Sequence, residues 1–277
     1  MTSDRTSAIL YKELSAHALQ CLSGGVASAH NTLFKPTRET WLNFKRLHLD
    51  QIDTYKQGEQ VARRPGDDTC KYCEKFHLSN LKTIDKNKDI SLGKQLEDCF
   101  SDFFNQELKH REINLTCIRA DGFDQQQPDY MHMPDFKIID SKGDAVFYFE
   151  FKAIFRPYLK ISEKVRADYE CYSHSQTLDI SNGKKLENQR NLVEKIGVKK
   201  VVYVYWYDIP CVKGIFWLSA QRVYELWDNG DTPRYKRKTV AGDLNDAGYL
   251  RAAVNKIYLP LPEMANFDSL FELIQTG

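Results

Sequence analysis

The segment MHMPDFKIIDSKGDAVFYFEFKAIF, residues 131–155, sets two apolar runs on either side of a Ser-Lys-Gly-Asp turn. In the second run Phe147, Phe149 and Phe151 alternate with Tyr148, Glu150 and Lys152. Successive side chains of a strand point to opposite faces, so one face is aromatic and the other carries a carboxylate and an ammonium. With the turn centred between Lys142 and Gly143, Asp135 falls directly opposite Glu150. Opposed Cβ atoms of an antiparallel pair lie about 4.5–5.5 Å apart. Asp135, Glu150 and Lys152 then share one face, and Lys137 and Tyr148 form the next opposed pair on it. Phe136, Ile138, Phe147, Phe149 and Phe151 share the other, which is the expected core. A three-residue loop or a bulge would slip this register by one.

Two opposed carboxylates repel unless a proton or a cation intervenes. A divalent ion held by oxygens at about 2.0–2.1 Å removes that conflict. It also polarises a phosphate oxygen and acidifies a bound water. Lys152 could orient or deprotonate such a water, or stabilise negative charge growing on phosphorus. The plain alternative is a solvated Asp-Glu-Lys cluster on an open sheet face.

Working outward, SLGKQLEDCFSDFFNQELK (91–109) places Leu92, Leu96, Phe100, Phe103 and Phe104 on one helical face. EINLTCI (112–118) reads as a strand, and ADGFDQQQPDY as a loop. NGKKLENQRNLVEKIG (182–197) reads as a helix stopped by Gly197. VKKVVYVYWYDIP (198–210) is the most apolar run and fits a buried central strand. KGIFWLSAQRVYELW reads as a strand followed by a helix, and RYKRKTV as an edge strand. Residues 1–60 read as helical, with Ile9, Leu10, Leu14, Ala18 and Leu22 near a helical period. Residues 63–90 are polar and turn-rich. The expected fold is an α/β sandwich with a mixed central sheet flanked by helices. The expected division is a mainly helical region over 1–90, for recognition or dimerisation, and a core with a C-terminal elaboration over 91–277.

Pro134-Asp135 followed by Glu150-Phe151-Lys152 resembles the motif of the PD-(D/E)xK nucleases, which include type II restriction endonucleases and Holliday-junction resolvases. The resemblance spans roughly residues 91–218, in the order helix, strands, helix, strand. It implies a restriction-endonuclease-like core, with Mg²⁺ held by Asp135 and Glu150 and Mn²⁺ able to substitute. It implies Lys152 at the attacking water, and cleavage of double-stranded DNA to 5′-phosphate and 3′-hydroxyl ends. Glu97 matches the acid on the helix before the sheet, where it joins the metal site directly or through water, or is simply an exposed helix residue. Gln189 matches a polar residue on the helix after the lysine, and the reading preferred for it is a solvated face. The large helical N-terminal portion favours a type II enzyme of a restriction-modification system, cutting a palindrome as a homodimer. The other readings are a structure-specific repair or recombination nuclease and a DNA-binding module with a vestigial site.

CKYCEKFH offers Cys70, Cys73 and His77, three corners of a zinc tetrahedron, with Cys21, His48, Cys99 or His110 as a fourth. Ordinary reduced cysteines are the competing reading. Seven cysteines in a 277-residue chain without an apolar leader do not suggest a disulfide framework. The expected location is the cytoplasm, because MTSDRTSAIL lacks a signal core and no apolar run reaches the ~20 residues of a membrane helix. With 39 basic and 38 acidic residues, net charge says nothing about a polyanionic partner. Lys160, Lys164 and Arg166, and Arg234 to Lys238, are basic clusters suited to a phosphate backbone or merely solvated. Gln125, Gln126 and Gln127 could read adenine edges, though a flexible polar loop is preferred. No GxxxxGK[ST] loop is present, which argues against a nucleotide-driven motor.

Overall fold

The Phe-alternating segment forms β3 (Ala145–Ile154), the second strand of a six-stranded mixed sheet. The structure is a computed structural model that describes residues 5–22, 86–120, 132–154, 176–179, 185–209, 212–229, 234–238, 253–259 and 263–276. Its other strands are β1 (Thr116–Arg119), β2 (Phe136–Ile139), β5 (Val201–Ile209), β6 (Val212–Ser219) and β9 (Ala265–Asn266), in the order β1-β2-β3-β5-β6-β9. Strands β3 and β5 run parallel and every other neighbouring pair is antiparallel. A second sheet of β4 (Gln176–Asp179), β8 (Ala253–Leu259) and β7 (Arg234–Lys238) has the order β4-β8-β7, so β7 is an edge strand of that sheet, as RYKRKTV suggested. Five α-helices occur among the described residues: α1 (Ser7–Cys21), α2 (Lys86–His110), α3 (Lys185–Ile196), α4 (Ala220–Asp228) and α5 (Asp268–Thr276).

The β2–β3 register rests on two offsets that cancel. Residues 141–143 close a three-residue loop, in which the Asp140 N–H donates to the Asp144 carbonyl and the Gly143 N–H to the Asp140 carbonyl, both at 3.0 Å. Gly143 has φ 85°, where a Cβ is disfavoured. Ile139 consequently pairs with Ala145, one residue off the two-residue turn of the simple reading. A bulge between Ile138 and Ile139 restores it, so Ile138 faces Phe147, Lys137 faces Tyr148 and Phe136 faces Phe149.

Each face of the large sheet is covered. On one, Phe136, Ile138, Phe147, Phe149, Phe151, Val202, Val204 and Trp206 pack with the apolar sides of α1, α2 and α5. Phe100 of α2 stands at its centre, with ring centroids 4.4 Å from Phe151 and 5.9 Å from Phe149. On the other, Val201, Tyr203, Tyr205 and Tyr207 pack with Leu186 and Val193 of α3 and Val223, Tyr224 and Leu226 of α4. The aromatic alternation thus fills one layer, and the polar alternation of β3 looks into the layer under α3 and α4.

Several expectations need correction. The strand placed at 112–118 is Thr116–Arg119. Before it, α2 ends in a Schellman-type cap, with the Ile113 N–H donating to the Leu108 carbonyl and Glu112 at φ 57°. Ile9, placed on the apolar face of α1, is exposed, and Tyr11 is buried in its stead. Helix α5 was not foreseen. Leu10, Leu14 and Ala18 of α1 pack into the core formed by the sheet and α2. No helix among the described residues is long and apolar enough to cross a membrane.

Candidate active site

Asp135 lies one residue before β2, pinned from both sides. The Ala120 N–H donates to its carbonyl at 2.9 Å, and the Phe151 N–H donates to its carboxylate Oδ2 at 2.7 Å. The β2–β3 ladder ends at the Phe136–Phe149 pair, and one step beyond it the same register brings Asp135 to Glu150 and Lys152. The Lys152 ammonium is 2.5 Å from Glu150 Oε1 and 3.6 Å from Asp135 Oδ2. The three side chains meet in one place. They are not an open-face solvated cluster: Glu150 is 7% exposed, Asp135 17% and Lys152 34%.

Burial decides the electrostatics. It pushes the Asp135 carboxyl up from 3.8 to about 7, and the charges of Glu150 and, more weakly, Glu97 push the same way. Lys152 and the Phe151 N–H pull it back only in part. Burial alone would lower Lys152, but Glu150 and Asp135 outweigh it and hold the ammonium well above the ordinary lysine range. The site as it stands holds two acids and one firmly protonated base.

Glu150 is further fixed from below. Gln189 of α3 donates from Nε2 to Glu150 Oε2 at 2.8 Å, and accepts at Oε1 from the Tyr203 hydroxyl at 3.0 Å. Because that hydroxyl has spent its proton on Gln189, Tyr224, 3.2 Å away, is the donor to it. Gln189 is 6% exposed, which overturns the solvated-face reading. It lies on the side of α3 that also buries Leu186 and Val193, one helical turn from each. The signal that could have found Tyr203 was the parallel register: it is the Cα partner of Glu150, as Tyr205 is of Lys152. Next to Gln189, Asn188 contacts His132 Nε2 at 3.2 Å, which ties α3 to the segment leading into Asp135.

Glu97 acts on the cluster by its charge, which raises both Asp135 and Lys152. Arg119 holds its Oε2 at 2.9 Å and also contacts Asp98 at 3.2 Å, while its guanidinium stands over the Phe136 ring. Among the described residues no group of three or more His, Cys, Asp and Glu side chains could hold a metal ion by itself. Asp135 and Glu150 nevertheless suit Mg²⁺, which is commonly held by one or two carboxylates with waters and substrate phosphates filling the rest. Their desolvated, mutually repelling pair is the observation that fits a divalent cation. Cys70, Cys73, His77 and His48 lie outside the described residues, as do Lys160, Lys164, Arg166 and Gln125 to Gln127.

No protein-family model matches the chain, and no curated protein matches its sequence. Among solved structures it is similar to a nuclease from a fusselovirus, at TM-score 0.34 and 7% identity, covering 62% of this chain and 83% of that one. A likeness of that size does not establish a common fold.

Proposed function

We propose that the chain is a Mg²⁺-dependent deoxyribonuclease of the PD-(D/E)xK kind, with a restriction-endonuclease-like core. The observation that carries this reading is the convergence of Asp135, Glu150 and Lys152 in one half-buried spot, with the ammonium on both acids. Asp135 and Glu150 would hold the ion, which when bound supplies charge neutralisation at the phosphate and a more acidic water. The Phe151 N–H and the Gln189 amide orient the two acids, one oxygen each. Lys152, in contact with both acids, would orient or help deprotonate the attacking water, or meet negative charge growing at the attacked phosphate. Attack of water at phosphorus with departure of the 3′-oxygen leaves a 5′-phosphate and a 3′-hydroxyl.

The finer assignment, by the family resemblance, is a type II restriction enzyme that cuts both strands of a short palindrome as a homodimer. Digestion of plasmid DNA with Mg²⁺, followed by sequencing of the ends, tests it. Discrete fragments with one end sequence are expected. Cleavage confined to branched junctions would replace the restriction reading with a structure-specific one, and no hydrolysis in Mg²⁺ or Mn²⁺ would remove the nuclease reading.

A further inference from the structure

Helices α1 and α2 pack antiparallel on the sheet face remote from the acids, and a chemistry-bearing cluster sits between them. Arg5 near the start of α1 reaches Glu107 near the end of α2 at 3.0 Å. Further along, the His17 and Phe103 rings lie 6.4 Å apart. One turn on from His17 is Cys21, and one turn back from Phe103 is Cys99. Residues four apart share a helix face, so antiparallel packing sets these two cysteines opposite each other. Cys21 is near enough for its charge to act on the Cys99 thiol. Cys21 is exposed and has the His17 Nε2 3.5 Å from its sulfur, whereas Cys99 is buried.

We propose that Cys21 and Cys99 are an oxidisable dithiol that closes to an intrachain disulfide with hydrogen peroxide, locking the end of α1 onto α2. Cys21, the accessible thiol, reacts first. Its proton goes to His17 Nε2, the thiolate attacks the peroxide O–O bond, and sulfenic acid forms with release of hydroxide, which recovers that proton as water. The Cys99 sulfur then attacks the Cys21 sulfur and breaks its S–O bond. The displaced hydroxide leaves as water with the Cys99 proton. Two thiols and one peroxide become one disulfide and two waters. Burial, and next the neighbouring Cys21, push the Cys99 thiol up to about 12, so Cys99 is not the first nucleophile and must give up its proton as it attacks.

The test treats the full chain with a modest excess of peroxide at neutral pH, caps free thiols with N-ethylmaleimide and maps tryptic peptides. The expected result is one cross-linked peptide joining Cys21 to Cys99, reversed by dithiothreitol. Cys21→Ser, a change at an exposed position, should abolish it, and Cys99→Ser should leave a dimedone-reactive sulfenic acid on Cys21. Three results overturn the proposal: Cys21 linked to another cysteine such as Cys70 or Cys73, Cys21 oxidised in the wild-type chain with no cross-link to Cys99, or stoichiometric zinc that protects both thiols from capping. The wild-type map decides the matter even if a variant folds poorly.

Discussion

Consider Asp135→Asn in the metal-free protein. Asparagine keeps an oxygen for the Phe151 N–H, which donates to Asp135 at 2.7 Å, and removes only the charge. The Asp135 carboxyl is raised from 3.8 to about 7, chiefly by burial. An acid raised in the folded state contributes stability that is complete below its unfolded value and is lost as pH climbs through its folded value. The window is therefore about pH 4 to 7. At ~1.4 kcal/mol per pKa unit the loss has a ceiling of about 4 kcal/mol, and reorientation of the side chain toward solvent brings the expectation to about 2–4 kcal/mol. The assay is urea unfolding in EDTA at pH 4 and pH 8, for both proteins. Between those pH values the wild type should lose about 2–4 kcal/mol more than Asp135→Asn, a melting difference at pH 8 on the order of 5–10 °C. Adding Mg²⁺ at pH 8 should stabilise the wild type and leave the variant nearly unmoved. Identical pH dependence in the two proteins would refute the idea that Asp135 is a strained, charge-starved acid.

Gln189→Ala should lower nuclease activity about 10–100-fold by releasing Glu150. It should also cost about 1–3 kcal/mol of stability, because the Tyr203 hydroxyl and a Glu150 oxygen lose buried partners. Kinetics and urea unfolding of the same preparation check both, and wild-type activity would remove Gln189 from the positioning of Glu150. Gly143→Ala meets no atom within 4 Å of its new Cβ, so its cost is purely that of φ 85°. That cost is about 1–2 kcal/mol, read by thermal unfolding, and an unchanged stability would show that the loop is not held in this conformation.

The site was legible because it follows a period of two. Phe136, Phe149 and Phe151 report the core face, and the residues between them report the other. The register near Asp135 came out the same for a reason the sequence hides: a three-residue loop and a bulge at Ile138/Ile139 offset each other. Gln189 was misread because a polar residue on a helix is usually solvated, and its burial depends on Glu150 and Tyr203, distant in sequence. The start of β1 was misplaced because Glu112 takes the left-handed cap position that glycine usually marks, so nothing in EINLTCI announces the end of α2. Arg119 gave no local sign that it holds Glu97, since that ion pair exists only once β1 lies beside α2.

The most direct test of the account is Mg²⁺-dependent hydrolysis of duplex DNA by the wild type and Lys152→Ala under single-turnover conditions. A preserved melting temperature in the variant would show that the fold is intact. Removing the cation proposed to act at the attacked phosphate should slow the chemical step by about 10²–10³-fold, with DNA binding largely kept. Cleavage by Lys152→Ala at the wild-type rate would contradict the assignment of this site.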